Sequence, residues 1–213
     1  ELFKYIQPNE NRRMWVWKFI QCMTDSKILR TDYKYDIDEV LLEWEKIKIK
    51  LQHSHWYEGT QTSLQYSSKC KQKFTDGYGV IDGATVISTD GCGNLNRIEG
   101  RSEQDFNLLN PLYENTIFEQ IINDVGACRA RIMKIPKHTC YSIHSDRVGK
   151  PGRYHLPMIT NPHALFMFYE SEISSTTTHL PADGYVWWTD TTKEHTFINA
   201  GPERTHLVMC IIK

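Results

Sequence analysis

Residues 185–212, YVWWT-DTTKE-HTFIN-AGPE-RTHLVMCII, contain three short runs of β-branched and aromatic residues, at 185–189, 195–199 and 204–212. Residues that favour turns separate the runs, and four more runs of this kind precede them near 129–135, 139–146, 153–159 and 165–169. Short strands at close intervals are typical of a sandwich or barrel. The chain from 128 onward therefore predicts a mainly β fold, a double-sheet jelly roll.

The first half predicts helices instead. Apolar residues recur at helical spacing around 16–23, and a second helix follows Asp36, with Glu39 in the position of a capping box. Asn110 as cap and Pro111 at the first helical position predict the start of a third helix, which Gly126 can end.

Between the last two helices, 62–67 and 78–88 read as strands, and 90–101, rich in Gly and Asn, reads as a loop. We expect one domain over 1–213. Its mostly helical part, 1–127, would pack as a buttress on a jelly-roll core at 128–213, and its strands would extend the sheets.

Composition narrows the classes of protein to consider. The 213 residues are 40% hydrophobic and 24% charged, with a net charge of −1, and no basic stripe predicts nucleic-acid binding. No apolar run approaches the roughly twenty residues that span a bilayer. The six cysteines lie far apart without a C-x-x-C pair, which favours reduced thiols and a cytoplasmic location.

Three residues of the β-rich part predict a metal site. His144 and Asp146 lie two apart, so on a strand they share a face, and His195 opens a much later strand. Two imidazoles and one carboxylate suit a metal such as Fe(II) and leave positions open for other ligands. One His-x-Asp among nine histidines arises easily by chance, so the prediction depends on order, spacing and β context together.

Charged residues nearby predict an anion site. An arginine such as Arg204, nine residues after His195, can grip a dicarboxylate through a bidentate ion pair. His206 shares the face of Arg204 and is a candidate lining residue or a satisfied core histidine. Arg153 and His155 share a face in the same way.

Other side chains near these runs leave alternatives open. Of Trp187 and Trp188, which alternate in direction, one would lie in the core and the other would wall the pocket. Asp190 either orients His195 or forms a turn.

The order of these residues resembles the aspartyl/asparaginyl β-hydroxylase family of Fe(II)- and 2-oxoglutarate-dependent dioxygenases. The resemblance covers roughly the last eighty residues and is carried by 144–146 (HSD), 153–159 (RYHLPMI), Asp190, 195–199 (HTFIN) and 204–207 (RTHL). It implies a double-stranded β-helix. It also implies that His144, Asp146 and His195 ligate iron, and that Arg204 binds the far carboxylate of 2-oxoglutarate with Arg153 and His155 assisting.

One position departs from part of that family. The animal members that hydroxylate proteins have glycine where this chain has Asp146, so the chain is more similar to relatives with a complete triad. The resemblance implies O2 as oxidant, with ascorbate as a possible aid. It also implies a substrate that is an amino acid or an Asp- or Asn-type residue in a peptide. The alternatives are a cupin-like zinc or manganese isomerase, hydrolase or ligand-binding module, and a metal-free binding module.

Overall fold

The computed structural model describes residues 27–51, 61–70, 73–81, 85–86, 97–146 and 152–211. The helix expected around 16–23 lies outside these residues. The helices are α1 (Ile37–Leu51) and α2 (Ile117–Val125). The strands are β1 (Ile28–Lys34), β2 (Gln61–Ser63), β3 (Gln65–Tyr66), β4 (Val80–Ile81), β5 (Thr85–Val86), β6 (Arg97–Ile98), β7 (Leu108–Leu109), β8 (Ala127–Ile135), β9 (Thr139–Cys140), β10 (His144–Ser145), β11 (Arg153–Ile159), β12 (Ala164–Ser171), β13 (Ser174–His179), β14 (Tyr185–Thr189), β15 (His195–Asn199) and β16 (Arg204–Ile211).

Two antiparallel sheets form the body of the described structure. Sheet I has the order β1-β14-β11-β16-β8-β2; sheet II has the order β13-β12-β15-β10-β5, with β9 also paired to β15. From β8 onward the chain crosses repeatedly between the sheets, so neighbours in each sheet are distant in sequence. This topology is a jelly roll, and it confirms the predicted double-stranded β-helix.

The two faces of sheet I have different roles. Tyr154, Leu156 and Leu207 point to the outer face, where they share a buried cluster with Trp44 of α1 and Phe118 of α2. The predicted helical buttress is confirmed on this face. Strand alternation then turns the intervening residues of β11, β14 and β16 inward, toward sheet II.

The predicted cap of the second helix is confirmed. The backbone N–H groups of Asp38 and Glu39 donate to the carboxylate of Asp36 at 2.9 and 3.4 Å. Val40, Trp44, Ile47 and Leu51 of α1 are buried at the spacing of one helical face.

The predicted start of the third helix is wrong. Asn110 accepts a hydrogen bond from the Leu112 N–H and caps a single 3₁₀ turn at Pro111–Tyr113. Asn115 then takes a left-handed backbone with φ 58°, which interrupts the helical path, and α2 begins only at Ile117. The predicted end is confirmed, because Gly126 is left-handed and its N–H donates to α2 carbonyls.

The described part of 1–127 is less helical than expected. It holds two α-helices and seven short strands. As predicted for the N-terminal strands, β2 extends sheet I and β5 extends sheet II. β1 and β13, which the sequence did not predict, lie at sheet edges. No helix within the described ranges is long and apolar enough to cross a membrane.

Candidate functional site

Strand pairing in sheet II brings the two predicted histidine ligands together. His144 on β10 and His195 on β15 are direct cross-strand partners, and their ring centroids lie 4.3 Å apart. The ring of Phe166 stacks on His195 at 5.3 Å. His195 is therefore buried between the ring of Phe166 and the imidazole of His144.

The same local contact fixes both rings. Nδ1 of His144 lies 2.8 Å from the carbonyl of Ser142, and Nδ1 of His195 lies 2.8 Å from the carbonyl of Lys193. A carbonyl oxygen only accepts, so each Nδ1 carries a proton and donates it. In a neutral ring of this kind, Nε2 is the atom that can bind a metal ion.

Burial and the neighbouring His144 lower the pKa of His195 to about 4, against the opposing influence of the Lys193 carbonyl and of Asp146. The imidazole is therefore neutral at physiological pH, and a metal ion would not have to displace a proton from it.

Asp146 is held by an arginine of the other sheet. Its Oδ2 lies 2.7 Å from Nη2 of Arg153, while its backbone N–H donates to the carbonyl of Thr191 at 2.7 Å. Burial alone would raise the pKa of this carboxyl. Arg153, Thr191 and the two imidazoles outweigh burial and hold the pKa well below its ordinary value. Asp146 is a carboxylate at any ordinary pH.

A second carboxylate secures that arginine. Glu103, in a 3₁₀ turn at Glu103–Asp105, contacts Arg153 at 2.5 Å and Arg129 at 3.4 Å. Arg153 thus bridges Glu103 and Asp146 and is 7% exposed. Its contacts are those of a residue that positions the carboxylate of Asp146.

The three predicted ligands are neighbours but do not converge as a closed triad. Within the described ranges, no group of three His, Cys, Asp or Glu side chains is arranged to hold a metal ion. The two histidines fit a divalent cation in donor type and in the orientation of their rings. Asp146 fits in type and charge, and it is drawn to Arg153 through Oδ2, which leaves Oδ1 outside that ion pair.

Arg204 is a buried cation without a counter-ion among the described residues. It is 2% exposed, its Nε and Nη1 have no hydrogen-bond partner among the described residues, and its guanidinium lies 3.6 Å from the ring centre of Phe197. Burial lowers its pKa to about 9, so it stays charged at pH 7. A desolvated, charged fork of this kind is a binding group for a carboxylate.

Unsatisfied polar atoms continue from Arg204 along the inner face of sheet I. Both ring nitrogens of His155 and of His206 are buried without a hydrogen-bond partner in the described structure, and the two rings lie 6.1 Å apart. Buried polar groups are normally paired, so a cluster of orphans marks a place where a polar ligand or water binds. Burial, followed by the charge of Arg204, lowers both pKa values well below the ordinary range.

Register explains why these groups all face the interior of the roll. Pro157 pairs with His206 and His155 pairs with Val208, which puts both histidines and Arg204 on one face, as the alternation predicted. Phe197 of sheet II contacts the rings of His155 and His206 from the opposite side, at 6.1 and 6.0 Å. These groups therefore lie between the two sheets.

Contacts decide the two alternatives that the sequence left open, which concern the two tryptophans and Asp190. Trp188 belongs to the outer core, whereas Trp187 packs with the inner cluster that contains Phe166 and Phe197. Asp190 accepts from the backbone and hydroxyl of Thr192 and is a turn residue. The carbonyl of Lys193, not Asp190, orients His195.

Three residues of the site were missed from the sequence: Glu103, Arg129 and Arg131. The spacing of Arg129 and Arg131, two apart in a strand whose other residues except Lys134 are apolar, was a usable signal, because both are buried on β8. Glu103 carries no such signal, since it lies in an irregular segment and reaches Arg153 across fifty positions of sequence.

Comparison with solved structures returns weak likenesses. An oxidoreductase of the 2OG-Fe(II) oxygenase family from Burkholderia pseudomallei is 21% identical over 39% of this chain and 42% of its own, with a TM-score of 0.32. This chain thus spans less than half of that protein. A prolyl-4-hydroxylase from Pseudomonas putida is 12% identical over 91% of this chain and 97% of its own, with a TM-score of 0.44.

A prolyl hydroxylase from Trichoplax adhaerens, solved with a hypoxia inducible factor peptide fragment, is 11% identical over 95% of this chain and 93% of its own, with a TM-score of 0.43. No family model matches the chain, and no curated protein is significantly similar to it. The assignment of the site therefore depends on the geometry given above.

Proposed function

We propose that the chain is an Fe(II)- and 2-oxoglutarate-dependent dioxygenase. It hydroxylates an unactivated C–H bond of an amino acid, or of an Asp- or Asn-type residue in a peptide, and releases succinate and CO2. One relationship carries the proposal: two imidazoles whose Nδ1 atoms are held by backbone carbonyls lie inside the roll together with a buried guanidinium that has no counter-ion among the described residues. The first feature calls for a metal, the second for an anion.

In this proposal His144, His195 and the carboxylate of Asp146 hold the iron. Bound iron would supply the oxidative chemistry by which R–H, O2 and 2-oxoglutarate become R–OH, succinate and CO2. The carbonyls of Ser142 and Lys193 fix the rings before any ligand arrives. Preset ligands of this kind need little reorganisation when a metal binds.

Arg204 binds the far carboxylate of 2-oxoglutarate. Its guanidinium is buried over the ring of Phe197, so a dicarboxylate bound there would meet a planar fork of donors in a dry environment. Charge-assisted hydrogen bonds are strong where water is excluded. His155, which interacts electrostatically with both Arg204 and His195, lines the path between the two ends.

The contacts favour a different role for Arg153 from the one that the resemblance implies. Its guanidinium is already engaged by Glu103 and Asp146, two carboxylates that neutralise it. We therefore assign Arg153 to the orientation of Asp146. His155 keeps its proposed place near 2-oxoglutarate.

The test is succinate release by purified protein reconstituted with Fe(II), ascorbate and 2-oxoglutarate, with mass spectrometry for the gain of one oxygen atom across amino acids and peptides. His144→Ala and His195→Ala should abolish both metal retention and succinate release. His163→Ala, an exposed histidine outside the site, is the matched control. Full succinate release by either ligand variant would remove that residue from the metal site.

The principal alternative has a different signature. In the cupin-like isomerase, hydrolase or ligand-binding module, zinc or manganese would stay bound through purification. Addition of 2-oxoglutarate would then change neither the stability nor the metal content of the protein. A protein that binds no metal at all would point to the metal-free binding module. Arg204→Lys separates the co-substrate site from the metal, because it keeps the charge and loses the planar fork. It should weaken 2-oxoglutarate binding and leave metal content unchanged.

A further inference from the structure

A second buried arginine faces the interior of the roll, and no carboxylate of the described ranges forms an ion pair with it. Arg131 lies on β8, where it pairs in register with Val208, and Val208 in turn pairs with His155. Directly paired residues in adjacent strands share a face, so Arg131 and His155 lie in one row on the inner side of sheet I. Arg131 is 7% exposed.

The hydrogen bonds of Arg131 are all to neutral groups. Its Nη1 donates to the amide oxygen of Gln61 at 2.9 Å and to the carbonyl of Gly77 at 3.4 Å, and its Nε has no partner among the described residues. Buried charges are normally paired with an opposite charge. Within the described structure this one is not.

The neighbouring charges leave a positive excess. Arg129 and Arg153 share Glu103, and Arg153 also takes Asp146, so both carboxylates are engaged by other arginines. Like-charge repulsion from these arginines adds to the cost of burying Arg131, and burial with that repulsion lowers its pKa to about 9. An incoming anion would relieve both costs.

Register separates this group from Arg204. Arg204 pairs with Ile135 and Arg131 with Val208, so the two arginines lie four residues apart along β8 and β16. At the rise of an antiparallel strand this is about 14 Å along the sheet. The row of Arg131 contains His155. Two residues further, toward the start of β11 and the end of β16, lies Arg153, which forms the ion pair with Asp146.

We propose that Arg131 is the subsite for a carboxylate of the substrate. The inference rests on the proposed function: Arg204 binds the co-substrate near one end of the inner face of sheet I, and Arg131 binds the substrate nearer the other end. The substrate class is then an amino acid or peptide that presents a carboxylate, and its neutral amide is a poor ligand. The carboxylate has two sources, the α-carboxylate of a free amino acid or an acidic side chain in a peptide.

A structural role is the competing explanation, since Arg131 contacts Gly77 of the 73–79 segment. Gln61 offers a variant that separates the two. Gln61→Glu places a carboxylate on the atom position that already accepts from Arg131, so it keeps the contact and fills the anion site from within. A structural role is preserved or strengthened by this change, whereas a substrate site is blocked.

The experiment is calorimetric binding to the Mn(II)- and 2-oxoglutarate-loaded protein without oxygen. Free amino acids are compared with their α-carboxamides, and blocked pentapeptides with a central Asp are compared with those with a central Asn. In the native protein at least one carboxylate should bind about tenfold or more tightly than its amide, as expected of a buried charge-assisted contact. Arg131→Gln and Gln61→Glu should erase that preference and leave 2-oxoglutarate binding unchanged.

Arg30→Gln, which removes an exposed arginine of β1, is the control and should keep the preference. Thermal unfolding shows whether Arg131→Gln is folded; if it is not, Gln61→Glu decides. A native protein that binds 2-oxoglutarate but treats every pair alike overturns the subsite alone, as does a preference that survives in Gln61→Glu. A protein that does not bind 2-oxoglutarate overturns the proposed function and this inference with it.

Discussion

Nη2 of Arg153 lies 2.7 Å from Oδ2 of Asp146, and this ion pair ties the proposed metal carboxylate to the opposite sheet of the roll. Glu103 contacts the same guanidinium nitrogen at 2.5 Å from the other side. The three side chains form a chain of alternating charge in which Arg153 is shared. The position of Asp146 therefore depends on a residue that no metal would touch.

Glu103→Gln tests that dependence. The change removes one carboxylate from between two buried arginines, and loss of one partner of a buried pair costs about 3 kcal/mol or more of unfolding free energy. Arg153 is then less constrained, and we expect metal affinity to fall about tenfold, as for other residues that orient ligands. Urea unfolding and metal titration measure the two effects. Glu114→Gln, an exposed glutamate, should change neither; unaltered metal affinity in folded Glu103→Gln would contradict the positioning role.

Arg204→Leu should separate stability from ligand binding. Without ligand, Arg204 is a buried charge with no counter-ion among the described residues, and an apolar replacement of similar size removes its desolvation cost. We expect the ligand-free variant to gain about 1 kcal/mol or more, despite the lost contact with Phe197. Native protein should gain thermal stability when metal and 2-oxoglutarate are added, and the variant should gain none from 2-oxoglutarate. A ligand-free variant that is much less stable would mean that Arg204 is a structural residue.

His206 predicts loss of stability in acid. Burial, followed by the charge of Arg204, lowers its folded-state pKa, whereas in the unfolded chain it titrates near its ordinary value of 6.5. Below pH 6.5 the unfolded chain binds a proton at His206, whereas the folded protein does not. Unfolding therefore becomes more favourable as pH falls, by up to about 1.4 kcal/mol per pH unit for this group. Urea unfolding of native protein and His206→Gln at pH 7 and pH 5 measures the difference. The variant should lose less stability between the two; equal losses would mean that His206 is protonated in the folded protein.

The direction of side chains on the strands was the feature predicted best from the sequence. Arg204 and His206 share a face because residues two apart on a strand must, and the pairing of β16 with β11 brings in His155. The meeting of His144 and His195 was accessible only through their order and spacing, because their direct pairing depends on how β10 and β15 align.

Backbone irregularities and long-range ion pairs were not predicted from the sequence. Arg129 has a left-handed backbone with φ 49° at a register shift between β8 and β16, and alternation says nothing about such a position. Asn115 is also left-handed, and for that reason the helix predicted to start at Pro111 begins later. Glu103 reaches Arg153 from a 3₁₀ turn that has no periodicity to extend. Rules of period and capping describe regular elements, so they do not reach these residues.

Gly152→Ala should disturb the start of β11 and with it Arg153. Gly152 has φ +85°, and a Cβ there would collide with the carbonyl oxygen of Thr189 and approach Nε1 of Trp188 at 2.8 Å. Gly100 is the matched control, because it has φ +62° and nothing within 4 Å of an added Cβ. Gly100→Ala should therefore lose only the cost of the left-handed backbone, about 1 kcal/mol, and Gly152→Ala should lose clearly more because backbone must move. Since Arg153 is the next residue and holds Asp146, metal affinity should fall in Gly152→Ala and stay unchanged in Gly100→Ala. Equal losses of stability in the two variants, with metal binding intact in both, would mean that β11 absorbs the extra methyl group without moving Arg153.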